Sequence, residues 1–154
     1  MDIRKFKTKR EMEKAHGDDI ANFPFVWAFS NKQLEEGMKK KWDLDMNNKE
    51  HLKLIMSIPA GGFIRKSDKD AMEEMFDRHT AERKQFAKDY KNLVAVIKSE
   101  MSNHEFGYTE DPTDTLSALS DYVNLPRFPE AWKKAKKEFL AEYKAWLDKE
   151  EVEV

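Results

Sequence analysis

Residues 52–101 read LKLIMSIPAGGFIRKSDKDAMEEMFDRHTAERKQFAKDYKNLVAVIKSEM, and the fold turns on them. Leu52, Leu54, Ile55, Met56 and Ile58 make an apolar run of strand length. Pro59 cannot donate to a ladder and Gly61-Gly62 tolerates positive φ, so Pro59–Gly62 is expected to reverse the chain. Phe63 and Ile64 then start a return strand that leads through Arg65. A phosphate cradle is the other use for a glycine pair. Here the pair precedes a strand-like Phe-Ile, and no Lys-Ser/Thr follows at P-loop spacing.

Ser67 supplies an N-cap, with Asp70 three residues on. Met72, Phe76, His79, Arg83, Phe86, Tyr90, Leu93, Ile97 and Met101 then step by three or four, with no Pro or Gly before Gly107. That spacing predicts one amphipathic helix over Ser67–Met101. It would be about 50 Å long, against a radius of gyration of about 15 Å for a chain of this size. Such a rod must bend, overhang its core or be covered, and self-association as a homodimer is one expected solution. His79 and Arg83 interrupt its stripe one turn apart. They are either an acid/base and an anion clamp in a cleft, or a core-edge histidine and an arginine laying its stem on apolar surface.

Working outward, Phe23-Pro-Phe-Val-Trp-Ala-Phe29 is aromatic and β-branched, which predicts a strand over Phe25–Phe29. Ser30 and Gln33 form a capping box for the next helix. Gly37 inside that helix costs up to about 1 kcal/mol relative to Ala, which suggests a close backbone approach. Lys39-Lys40-Lys41 makes a basic patch at its end. Residues Ile3–His16, closed by Gly17, read as an N-terminal helix, here bounded as 1–17. Beyond Met101, Tyr108-Thr109 is a candidate extra strand, and Leu116, Leu119 and Tyr122 mark a short helix. Pro129 opens a final helix to Lys149, with Trp132, Ala135, Phe139, Tyr143 and Trp146 as its stripe and Lys133, Lys134, Lys136 and Lys137 on its flanks. Residues 150–154 are expected to fray.

With 154 residues, four Trp and ten Phe, the chain can build a core, and a single domain 1–154 is expected. Charged residues are 38% of the chain and the net charge is −2, so wet helical faces are expected and no global field favours DNA or acidic membranes. Cysteine is absent, which rules out disulfides, thiol catalysis and Cys-type zinc sites. No apolar run has the length of a membrane span, and the charged start does not look like a signal peptide. A cytoplasmic setting is the expectation.

His16, His51, His79 and His104 fall in no metal-binding spacing, and no nucleophile elbow, Walker loop or dinucleotide fingerprint occurs. No catalytic residue, metal or cofactor is therefore assigned, although a catalytic set assembled from distant residues stays open. The candidate binding residues are His79, Arg83, Arg65, Lys39, Lys40 and Lys41. The fold class is α+β and helix-dominated. A small, mostly antiparallel sheet of about three strands (Phe25–Phe29, Leu52–Ile58, Phe63–Arg65) packs against the long central helix and the C-terminal helix.

Ala28-Phe-Ser-Asn-Lys-Gln-Leu-Glu-Glu-Gly37 and Ala60-Gly-Gly-Phe-Ile-Arg-Lys-Ser-Asp68 resemble segments of small uncharacterised proteins encoded by bacteriophages and bacterial mobile elements. The resemblance spans roughly residues 23–105. It implies an accessory protein inside an infected bacterium, of a kind that often binds a host protein, including components of antiviral defence such as CRISPR. No site residue carries over. The residues and the resemblance together leave three readings: first a non-enzymatic binder of a host protein, in its most specific form a defence inhibitor; then a nucleic-acid binder using the Arg4–Lys14, Lys39–Lys41 or Lys133–Lys137 patches; and a small enzyme or nucleotide sensor built on His79 and Arg83.

Overall fold

The structure is a computed structural model that describes residues 1–152, the last two by backbone alone. In chain order the elements are α1 (Lys9–Asn22), β1 (Val26–Trp27), α2 (Asn31–Trp42), α3 (Lys49–Leu52), β2 (Ile55–Ile58), β3 (Gly62–Arg65), α4 (Lys69–Phe86), α5 (Tyr90–Asn103), α6 (Phe106–Thr109), α7 (Thr113–Ala118) and α8 (Phe128–Val152). The expected α+β, helix-dominated class holds. None of the described helices is long and apolar enough to cross a membrane. The chain forms two compact units: a sheet unit, Lys14–Arg78, and a helical unit made of Met1–Glu13 and the chain from His79 onward.

The sheet unit is ordered β1-β3-β2 and wholly antiparallel. Ile58 pairs with Gly62, and Ile55 with Arg65, so the Pro-Ala-Gly-Gly segment does turn a hairpin. Ala60 and Gly61 both take positive φ (67° and 80°) to close it. The glycines also answer a packing demand. A Cβ on Gly61 would sit 2.6 Å from the Phe29 ring, and one on Gly62 would sit 2.7 Å from both Ile58 and the Trp27 ring. One sheet face packs Val26 and Phe63 against Met38 and Trp42. The other packs Phe25 and Ile64 with Ile20, Met72 and Met75. Ser30 Oγ accepts the Gln33 amide and Gln33 Oε1 accepts the Phe29 amide, closing α2's first turn. At Gly37 a Cβ would meet Val26 at 2.4 Å, the close approach expected of that residue.

The core of the helical unit is built from Leu93, Ile97 and Met101 of α5, Phe106, Leu119, Tyr122, and Phe128, Ala131 and Ala135 of α8. Its main helix pair is α5 with α8. Gly107 lets α6 lie on α8, where a Cβ would be 2.7 Å from Tyr143 Cγ.

Several sequence expectations need correction. The helix over Ser67–Met101 is two helices, broken at Ala87–Asp89. Asp89 caps α5 by accepting the amides of Lys91 and Asn92, while Asn92 Nδ2 donates to the Phe86 carbonyl at the end of α4. The start of α5 is thus satisfied by a side chain in the break and the end of α4 by one reaching back across it. Leu93, Val94, Val96, Ile97 and Met101 of α5 are all buried. The strand expected over Leu52–Ile58 begins only at Ile55, because Asn48 caps the one-turn α3 that ends at Leu52. The Phe25–Phe29 strand keeps only Val26 and Trp27. Tyr108-Thr109 is helical, in α6. The N-terminal helix starts later than expected and runs through Gly17 to Asn22. At the other end α8 continues to Val152, and the rest of the expected frayed tail, Glu153 and Val154, lies outside the described residues.

Candidate docking face on the helical unit

His79, Glu82 and Arg83 stand on one face of α4, in the part that belongs to the helical unit. His79 is buried at 1% exposure, with an imidazole nitrogen within 4.8 Å of a Glu82 carboxylate oxygen. Glu82 is fully buried and accepts three bonds from Arg4: Nε at 2.8 Å, Nη2 at 2.9 Å and the main-chain amide at 2.7 Å. Arg83 donates to Asp121 at 2.9–3.0 Å and to Thr80 Oγ1 at 3.1 Å. Its guanidinium is therefore engaged inside its own unit. Next to it, burial pushes the Tyr122 phenol up to about 12, with the Arg83 charge pulling the other way.

Glu82 and Arg4 were missed as site residues in the sequence, although Glu82 lies three residues after His79 on the same helical stripe. That spacing was the available signal; nothing local pointed to Arg4 as its partner. In the sheet unit Arg65 pairs with Asp68 at 2.8 Å. Lys39, Lys40 and Lys41 fill the last turn of α2, all exposed, and form no ion pair among the described residues. His79 and Arg83 thus belong to the helical unit, and Arg65 and Lys39–Lys41 to the sheet unit.

The more open feature is α8 itself. Lys91, Lys98 and Ser102 of α5 line a groove of about 610 Å³ with Lys134, Phe139 and Glu142 of α8. Residue numbers rise together on the two sides, so α5 and α8 run side by side in the same direction. Lys98 bridges Glu142 at 2.6 Å and Glu138 at 3.6 Å. The hydrogen bond to Glu142 holds its ammonium above the usual lysine range. α5 stops at Asn103, while α8 continues for two further turns beyond Tyr143. There Tyr108, Phe139, Tyr143 and Trp146 line a second hollow of about 620 Å³. Phe139, Tyr143 and Trp146 follow one another at centroid spacings of 6.4 and 5.8 Å. Tyr108 is 82% exposed and Trp146 53%.

This arrangement can hold an apolar side chain against a row of rings, with charged residues at the rim. No curated protein and no solved structure matches the chain. A family match covers residues 8–147, and the chain belongs to that family of unknown function, DUF7659.

Proposed function

We propose that this protein is a non-catalytic recognition module that docks a helical segment of another polypeptide on the outer half of α8. The exposure of Trp146 and Tyr108 beside the ring row of Phe139 and Tyr143 carries the reading. Helix-in-groove recognition uses this combination of apolar anchors and charged edges, and exposed Trp and Tyr are frequent anchors of binding energy. The ion pairs that Lys98 makes with Glu138 and Glu142 leave that part of the groove poorly suited to a phosphate backbone.

Within this proposal, the resemblance of residues 28–37 and 60–68 to phage and mobile-element proteins points to a host protein as the partner. Inhibition of an antiviral defence complex is its most specific form. The test is crosslinking in cells that carry the protein, comparing wild type with Trp146→Ala and Tyr108→Ala. A partner captured by wild type and lost from both variants, at unchanged melting temperature, supports the reading. Capture that ignores both substitutions refutes it.

A second reading, nucleic-acid binding, is favoured by one observation. Lys133, Lys134, Lys136 and Lys137 are exposed and have no carboxylate partner among the described residues. Binding through these lysines must fall steeply with salt. RNA or DNA affinity that is absent or salt-independent removes it.

A further inference from the structure

One flank of α8 carries a pattern that folding of the single chain uses only in part: Leu140 packs on the core and Tyr143 lies against Gly107, while Lys133, Lys136, Leu147 and Glu150 stay exposed. Lys133, Lys136, Leu140, Tyr143, Leu147 and Glu150 follow at intervals of 3, 4, 3, 4 and 3. That is the spacing of a coiled-coil seam, which runs along one side of a helix. Lys133, Lys136 and Glu150 are exposed, Leu147 is 40% exposed, and Leu140 and Tyr143 are half-buried. Among the described residues, the two lysines and Glu150 form no ion pair. The seam is apolar at its centre, basic at one end and acidic at the other, and about 26 Å long.

We infer that this seam pairs with the same seam of a second copy, antiparallel about a two-fold axis. Charge complementarity chooses the occupant and its direction. Turned end for end, a second α8 sets Lys136 beside the partner's Glu150 and Leu140 beside the partner's Leu147. The two-fold makes each of these contacts twice. A parallel pairing sets lysine on lysine and glutamate on glutamate, which is repulsive. The inference rests on the reading of α8 as a docking face and adds to it: a second copy of the chain takes this flank, beside the hollow at Tyr108 and Trp146 that the proposed function gives to another polypeptide. It does not depend on the long central rod expected from sequence, which the structure breaks in two.

The test is the mass of the full chain by light scattering and sedimentation, with helix content and melting temperature as controls for folding. Wild type is expected to be a dimer at concentrations on the order of 100 μM. Lys136→Glu alone and Glu150→Lys alone each weaken self-association by about tenfold or more, because like charges then face each other. Mixing these two variants gives a heterodimer, and combining both changes in one chain restores the homodimer. Leu147→Asp leaves a folded monomer.

A wild type that stays monomeric near 1 mM, or single charge variants that dimerise as wild type does, overturns the inference. So does a mixture no more associated than its parts. If the protein is monomeric but Trp146→Ala still abolishes capture of another polypeptide, self-pairing falls and the recognition reading stands.

Discussion

Replacing Arg4 by alanine tests whether the start of the chain is tied to the helical unit. The guanidinium and main-chain amide of Arg4 reach Glu82 across 78 positions of sequence. Because Glu82 is fully buried, removing the cation leaves a carboxylate without a charge it was built against. Breaking a buried pair typically costs about 3–5 kcal/mol. Two features of this pair lower that figure. The Arg4 side chain is 39% exposed, so water can partly replace it, and the main-chain amide survives the substitution. A loss of about 2 kcal/mol is expected, which for a chain of this length is a fall of roughly 4–8 °C in melting temperature. Arg4→Lys should recover only part of it, since an ammonium cannot make the two-pronged contact. Urea denaturation of wild type, Arg4→Ala, Glu82→Gln and the double variant closes a thermodynamic cycle. Hydrogen exchange over residues 2–7 reports whether the segment has come loose. A coupling energy of about 1 kcal/mol or more is expected. Loss of less than about 0.5 kcal/mol in Arg4→Ala, with no coupling to Glu82, refutes the argument.

Tyr122 gives a pH dependence of known sign. Burial raises its ionisation to about 12 from an ordinary 10, so the folded state holds its proton more tightly. Stability from this group is complete below pH 10 and is lost as pH rises towards 12, by roughly 2–3 kcal/mol in all. Tyr122→Phe should flatten the alkaline limb of a stability–pH curve. At the hairpin, Gly61→Ala should cost about 1 kcal/mol, because only the left-handed backbone is strained and the exposed Phe29 ring can swing aside. Gly62→Ala should cost more, about 2 kcal/mol, since its new methyl meets both Ile58 and Trp27. The reverse order in equilibrium denaturation would show that turn geometry, not packing, selects these glycines. Asp89→Ala removes the acceptor for two amides of α5, and a loss of about 1 kcal/mol is expected by the same assay.

What the sequence disclosed was local. The Ser30–Gln33 cap, the close approach at Gly37 and the hairpin around Gly61-Gly62 each depend on residues a few positions apart, and each is found in the structure. The break at Ala87–Asp89 escaped because it hardly disturbs periodicity. Three non-helical residues replace almost one helical turn, so Phe86, Tyr90, Leu93 and Ile97 keep the three-and-four spacing of an unbroken helix. Ala87 and Lys88 are good helix formers, and neither Pro nor Gly marks the spot. Asp89 followed by Asn92 was the trace left in the sequence, and it reads as a cap only once the Phe86 carbonyl is known to need a donor. Glu82 was hidden for a related reason. A glutamate within a charged stretch reads as solvated until a cation from a distant segment is placed on it. The seam on α8 is the opposite case. Its spacing, and the opposite charges at its two ends, stand in the sequence. Only the exposure of Leu147, and the end of α5 at Asn103, set the pairing proposed for this flank apart from the stripe of an ordinary core helix.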